Sequence, residues 1–269
     1  MPRIVRMTHH DPVLHAYFLT DPDEKAGYVG ALKTADVFAE HGKPSLPAGR
    51  LNPGRPERPE LIHATQVPRR SPYTAAGHAA LLHAIVHIEF NAINLALDAI
   101  WRFDDMPFQY YLDWLGVAKD EARHFMLLLD QLHALGYAYG DFPAHDGLWS
   151  MCEKTSGDIV ARMALVPRTL EARGLDATPI IQARLRGVGT PSALESVRIL
   201  DIILSDEVGH VAIGNHWYRW LCERTNVDPV AHYATVFRQY GAPKLKPPFN
   251  DAARRQAGFT EEELNLMRM

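Results

Sequence analysis

Two short stretches carry residue types suited to metal chemistry: Asp120-Glu121-Ala122-Arg123-His124 and Asp206-Glu207-Val208-Gly209-His210. In an α-helix, a Glu and a His three apart are separated by about 60° around the axis and about 4.5 Å along it. Both side chains therefore reach one ion from one face. Carboxylate and imidazole together suit iron, manganese or zinc. A single Glu-x-x-His arises readily on any charged helix. Two of them on separate apolar helices form a constellation once two further helices each add a Glu, and Glu89 and Glu171 are placed to do so. Glu89 lies 32 residues before Glu121, and Glu171 lies 36 before Glu207. Those offsets suit helix, tight turn, antiparallel helix in each half. Asp98 and Asp158 compete for the same roles but break the match, so they read as residues that support ligands or cap helices. The set Glu89, Glu121, His124, Glu171, Glu207 and His210 is then that of a dinuclear carboxylate site inside a four-helix bundle. Four carboxylates balance two divalent ions, whereas an empty site crowds like charges together. The competing reading makes Glu121 and Glu207 surface acids. Their apolar neighbours Ala122, Phe125, Val208 and Val211 argue against it.

Helices must position these residues, and the chain supplies them. From about residue 73 to 102 the sequence is apolar nearly all round, the mark of a buried helix. Pro107 fits the first turn of a second helix and Gly136 its C-terminal cap. A third helix is expected from about 150 to 173, stopped by Gly174 and disturbed at Pro167 close to Glu171. Residues 175 to 190 read as a connection with a short helix near 179–186, and a fourth long helix runs from about 191 to 224. A further helix is expected near 230–240. Thr260 to Glu263 reads as a capping box opening a last short helix. The expected organisation is all-α: residues 1–71 as an extended arm with short helices, 72–226 as the bundle, and 227–269 as a C-terminal helix and Pro-rich tail packed on it. Asp21 and Pro22 mark a helix start inside the arm. The run from Lys43 to Pro72, rich in Pro, Gly and Arg, forbids long regular elements.

Composition sets outer bounds. A chain of 269 residues, 47% hydrophobic, can bury one large core. A net charge of −4 gives no general footprint for nucleic acid or anionic membrane, although residues 50–70 form a local basic arm. The N-terminus lacks a secretory signal, and no window reads as the roughly 20 apolar residues of a membrane span. Cys152 and Cys222 follow neither metal nor disulfide spacing, which suits a reducing, cytoplasmic setting.

Other residues offer weaker chemistry. His83 and His87 form a rival His-x-x-x-His pair, but His87 lies about 200° around the helix from Glu89, so hydrogen-bonded core roles fit them better. Tyr110, Tyr111, Tyr137, Tyr139 and Trp149 suit a substrate channel or, more simply, packing. Arg168 suits either an anionic substrate or a surface ion pair. The side of the site near Glu171, Met163, Val166 and Pro167 is where access is expected.

The stretches HIEFNAINLALDAIWRF, YYLDWLGVAKDEARHF, YGDFPAHDGLW, RMALVPRTLEARGLD and DEVGHVAIGNHWY resemble the ferritin-like superfamily of diiron proteins. Within it they closely resemble a bacterial ferritin-like family known mainly as a domain of unknown function. The resemblance runs from about residue 73 to 218. The same superfamily holds a tRNA hydroxylase, ribonucleotide reductase small subunits and bacterial multicomponent monooxygenases. It implies a ferritin-like four-helix bundle that binds two iron ions, with manganese as the alternative, and oxidises an organic substrate with O2. It also implies that Asp206 orients His124 and Asp120 orients His210, each across to the opposite helix. Gly209 stands where the second copy would carry an Arg, so an Arg role is supported only at Arg123. The implied substrate is a small molecule or a modified nucleoside; an electron-donor protein is expected and a homodimer is compatible. Two other classes stay open: iron or manganese handling, as in a ferroxidase or peroxide disposal, and a metal-stabilised binding protein without turnover.

Overall fold

A computed structural model describes residues 11–37 and 52–268. The fold is all-α, and no strand is found among the described residues; one isolated bridge joins Leu61 to Ala144. Short helices α1 (Pro12–Phe18) and α2 (Pro22–Ala31) open the chain. Each starts as its sequence requires, with an Asp side chain accepting from backbone N–H groups and a Pro in the first turn. Asp21 and Pro22 do so at α2, as the sequence predicts.

The long helices follow. α3 (Ala75–Arg102) begins at the Thr74 cap, and α4 (Phe108–Ala134) ends before Gly136, whose φ of +81° suits glycine. α3 and α4 pack along each other, α4 packs on α8, and α2 packs on α4. By length and composition α3 could cross a membrane, contrary to the sequence expectation that no window would. However, 78% of its apolar window is buried in the protein, so it serves as a core helix.

The third expected helix is where the chain departs most from prediction. It is broken into α5 (Gly147–Lys154) and α6 (Ile159–Leu165), with Asp158 capping the second piece by accepting from Ala161 N at 2.9 Å. A π-helical segment, Val166–Glu171, then leads without a stop into α7 (Ala172–Val188). Gly174 therefore does not end the helix, and Glu171 lies inside a long helical run rather than near its end. The physical reason is that glycine in a helix costs only about 1 kcal/mol, and this run is buried against α8. The true stop is Gly189 at φ +70°. Pro179 sits within α7, so the short helix expected near 179–186 is part of a longer one that also takes in the expected connection from residue 175.

α8 (Pro191–Arg224), started by the Thr190 cap, packs against α4, α6, the π segment and α7. α9 (Pro229–Gln239), α10 (Asp251–Gln256) and α11 (Glu261–Met267) complete the chain, and α11 opens with the expected Thr260–Glu263 capping box. Val13, Tyr17, Val29 and Leu32 of α1 and α2 and the adjoining turn share one apolar core with Phe90, Trp114, Phe125 and Trp217. A smaller core joins Ala172, Leu175 and Val211 to Ala253, Ala257, Phe259 and Leu264.

Buried charges tie the first segments to α3. Lys25 is fully buried and donates to the carbonyls of Tyr17 at 3.1 Å and Gly54 at 2.9 Å, and to Asn94. Asp98 pairs with Arg102 at 2.6 Å and Arg162 at 2.5 Å, and accepts from Tyr17 Oη. It supports no ligand, contrary to the sequence reading: its guanidinium partners hold it in an ion-pair network between α1, α3 and α6. Residues 1–10 and 38–51 of the expected arm, and with them Arg50, lie outside the described residues.

Candidate metal centre

Four of the long-helix residues singled out by their spacing meet in the interior. Ligand atoms of Glu89, Glu121, His124 and Glu207 all lie within 4.8 Å of one another, and all four residues are buried. α3 contributes Glu89, α4 contributes Glu121 and His124, and α8 contributes Glu207 and His210. His210 joins through its Nδ1, 2.9 Å from Glu121 Oε1 and 3.7 Å from Glu207 Oε1. His124 Nδ1 lies 3.3 Å from Glu121 Oε2 and 3.6 Å from Glu89 Oε2. Glu121 thus stands between two imidazole rings whose centroids are 5.8 Å apart. Glu171 enters from the π segment. It keeps some surface at solvent, yet both its carboxylate oxygens are buried, with the Glu207 and Glu121 charges close enough to act on it.

The far side of each imidazole is held by an aspartate from the opposite helix. His124 Nε2 is 2.9 Å from Asp206 Oδ2, and His210 Nε2 is 3.4 Å from Asp120 Oδ2. Arg123 reaches both aspartates, donating to Asp206 at 2.7 Å and Asp120 at 3.2 Å. One Arg thereby closes the chain His124–Asp206–Arg123–Asp120–His210. That explains how the second motif does without an Arg at Gly209. An imidazole whose Nε2–H is donated to a carboxylate presents Nδ1 as a lone pair, the tautomer a metal ligand needs.

Charges in the cluster are strained against one another. Burial, then the Glu121 charge, pushes the Glu89 and Glu207 carboxyls up. Burial, then Glu207 and Glu121, pushes Glu171 up. Burial also opposes ionisation of Glu121, but the facing His210 and His124 hold its carboxyl well below the usual range. Burial pulls the two imidazoles down, and the carboxylates around them outweigh it: His124 rises to about 11 and His210 rises as well. Protons are thus concentrated where the carboxylates converge.

The decisive feature is what these groups fail to bond. Glu89 Oε2, Glu121 Oε1, both oxygens of Glu171, Glu207 Oε2 and His210 Nδ1 are buried without a hydrogen-bond partner among the described residues. The close approach of His210 Nδ1 to Glu121 Oε1 is out of line for a hydrogen bond. Buried polar atoms are nearly always paired, and leaving one bare costs about 1–3 kcal/mol. Such a group of carboxylate oxygens and an imidazole nitrogen can bind metal ions, and the donor set fits them.

Comparison with known proteins gives the chain a family. A family profile described as "Protein of unknown function (DUF455)" matches residues 18–265. The chain belongs to that family. A Haemophilus influenzae protein (strain ATCC 51907 / DSM 11121 / KW20 / Rd), described only as "Uncharacterized protein", is similar to this DUF455 chain. The two are 49% identical over 217 residues, covering 78% of this chain and 74% of the relative. No solved structure matches.

The remaining candidate residues fall elsewhere. His87 Nδ1 meets Tyr139 Oη at 2.8 Å, and His83 Nε2 accepts from Gly140 N at 2.9 Å, so both are hydrogen-bonded core residues beneath the 137–149 connection. Tyr110 and Tyr111 donate to the backbone carbonyls of Ala99 and Phe103, Tyr139 packs on Phe90 and Phe125, and Trp149 packs on Tyr17. Arg168 is neither a surface residue nor an open anion site: it is 3% exposed and paired with Glu263 at 2.6 Å. The ion pair was one of the two sequence readings, but it is buried under the C-terminal segment rather than set at the surface. Met163 and Val166 are fully buried, and a cleft of ≈ 320 Å³ lies between α8 and the C-terminal segment, lined by Asn215, His216, Arg219 and Gly258.

Sequence reasoning missed the π segment and what it requires. Thr169 Oγ1 donates to the carbonyl of Ala164 at 2.7 Å, five residues back, where Pro167 interrupts the ordinary ladder. A Pro inside an apolar helix followed two residues later by Thr was the available signal.

Proposed function

We propose that this DUF455 protein is a ferritin-like, non-haem dinuclear iron oxidoreductase that uses O2 to hydroxylate or otherwise oxidise an organic substrate. The observation that carries the proposal is the convergence of buried, unbonded carboxylate and imidazole atoms from α3, α4, the π segment and α8. Glu89 and His124 would hold one ion, and Glu171 and His210 the other. Glu121 faces both imidazoles and is the natural bridging ligand, with Glu207 beside it. Bound as a ferrous pair, the ions would supply two of the four electrons that O2 takes up, the organic substrate would supply the other two, and an electron-donor protein would return the pair to the ferrous state.

The chain's own residues do the rest. Asp206 and Asp120 hold the Nε2–H of each imidazole and so aim Nδ1 at the interior. Arg123 fixes the two aspartates relative to each other. Burial of the carboxylate oxygens keeps bulk water from the reacting region. Glu89, Glu171 and Glu207, whose carboxyls are pushed up, would release protons as ions enter. His124 and His210, whose imidazoles are pushed up, would do the same and so free each Nδ1 lone pair, coupling assembly of the site to proton loss.

Anaerobic ferrous loading followed by exposure to O2 tests the reading. Uptake of O2 that depends on a small-molecule or nucleoside fraction, with an oxygenated product seen by mass spectrometry, is the expected outcome. O2 uptake without any organic product would favour metal handling. Metal binding with no uptake would leave a binding protein without turnover.

A further inference from the structure

Glu171 differs from the other acids of the cluster. Among the described residues Glu89, Glu121 and Glu207 each face an imidazole nitrogen within 3.7 Å, whereas Glu171 pairs with neither histidine and both its carboxylate oxygens are buried without a hydrogen-bond partner. Its backbone must therefore be placed by something else, and the anchors flanking it come from the C-terminal segment. Three residues before it, Arg168 is buried at 3% exposure and pairs with Glu263 of α11, itself 5% exposed, at 2.6 Å. The same guanidinium donates to Asn215 Oδ1 at 2.6 Å and lies against the rings of Tyr218, Tyr233 and Phe259. Asn215 in turn donates to the carbonyl of Ala257. Glu263 Oε2 accepts from Arg219 at 2.8 Å and from Thr260 N at 2.8 Å, so its carboxylate is saturated and fixed.

The anchor after Glu171 is equally buried. Arg254 of α10 is fully buried; it donates to the carbonyl of Ala172 at 3.2 Å and pairs with Asp176 at 2.5 Å. An apolar cluster of Ala172, Leu175, Val211, Ala253, Ala257, Phe259 and Leu264 seals the same contact. A buried charge left without its partner is expensive, whereas a pair with both charges satisfied fixes geometry. Two such pairs straddling one carboxylate hold it more closely than surface packing requires.

We propose that the C-terminal segment is a positioning element of the metal centre, with Glu263 acting through Arg168 and Arg254 acting through Ala172 and Asp176 to aim Glu171. The inference rests on the dinuclear reading above. Neither Glu263 nor Arg254 touches the cluster. Both set where the π segment stands, and so which geometry the ion beside His210 receives from Glu171.

Anaerobic titration with cobalt(II), followed optically and by metal analysis, tests this on the full chain. Wild-type protein binds two ions. In Glu263→Gln, the first ion binds as in wild type and the second weakens by about 10- to 100-fold, the usual cost of losing support behind a ligand. The ligand-field spectrum of the second ion shifts with it. Arg168→Lys, which keeps the charge, restores part of the loss relative to Arg168→Met. If Glu263→Gln folds poorly, the double variant Arg168→Met/Glu263→Met removes both buried charges and is read in the same way. Two ions bound with wild-type affinities and spectra in folded variants, even with a lowered melting temperature, would overturn the positioning role. A wild-type chain that binds no cobalt would overturn the dinuclear reading itself.

Discussion

At the scale of single residues, the account depends on which nitrogen of each histidine faces inward. Asp206 lies 2.9 Å from His124 Nε2, and it is joined to Asp120 through Arg123. Asp206→Asn keeps every proposed ligand but replaces the acceptor for Nε2–H by an amide that can present its NH2 group instead. Metal affinity should fall by about 10- to 100-fold, with the larger loss at the ion beside His124. Calorimetric titration of the two proteins checks this, and equal affinities would remove the orienting role. A second prediction concerns residues outside the cluster. Burial pulls His83 down to about 4. Burial, then the Arg55 charge, pulls His87 down to about 3. In the unfolded chain both titrate near about 6.5. The unfolded state therefore takes up these protons first. The stabilising contribution is complete above about pH 6.5 and is lost as pH falls toward the folded values. Denaturant midpoints of metal-free protein should show a shallower loss in His87→Gln than in wild type between about pH 6.5 and 4. The two Glu-x-x-His motifs were legible because a helical period of 3.6 turns spacing into direction, whereas the two cross-helix aspartates were legible only through the resemblance to diiron proteins. Arg168 was not, since its partner Glu263 lies far along the chain and nothing local marks the pair.

At the scale of the element, the π segment is the part whose shape matters most. Thr169 supplies the donor that the Pro167 region lacks, and Gly214 of α8 lets the segment approach: a Cβ there would stand 2.5 Å from Pro167 Cβ. Gly214→Ala must push the segment and α8 apart, so destabilisation of about 1–3 kcal/mol is expected from overpacking. Because Glu171 is carried on that segment, the second metal ion should weaken as well. Chemical denaturation and metal titration of the same sample measure both, and a stable variant with two intact sites would show that the close approach is unimportant. The helices around this segment were only partly readable. α3, α4 and α8 announce themselves by long apolar faces, caps and short links. α7 was only partly read: its 179–186 part was expected as a short helix, but Gly174 is an ordinary stop signal that burial against α8 overrides.

At the scale of the whole molecule, the segments before and after the long helices are bound by buried charge as well as by apolar packing. Asp98 holds Arg162 and Arg102 together beneath Tyr17, and Lys25 is pinned between Tyr17, Gly54 and Asn94. Arg162→Met would leave part of Asp98 without its buried partner, at a cost of about 3–5 kcal/mol. Thermal unfolding should shift down sharply while the metal content of the protein that remains folded stays at wild-type level, because this network stands apart from the cluster. The all-α class was legible from composition and periodicity. The docking of residues 11–37 into the main core was not, since it rests on pairings such as Lys25 with Asn94 that no spacing rule encodes.

The central claim is that the buried acids and imidazoles bind two ions together, and metal content tests it most directly. The wild-type chain, Glu121→Ala and Glu207→Ala would each be loaded anaerobically with ferrous iron, desalted and assayed for iron per folded chain. Two ions are expected in the wild type, with a clear loss in both variants and helical content preserved, because apolar helix packing supplies most of the stability. Two ions retained in both variants, or none bound by the wild type, would contradict the account.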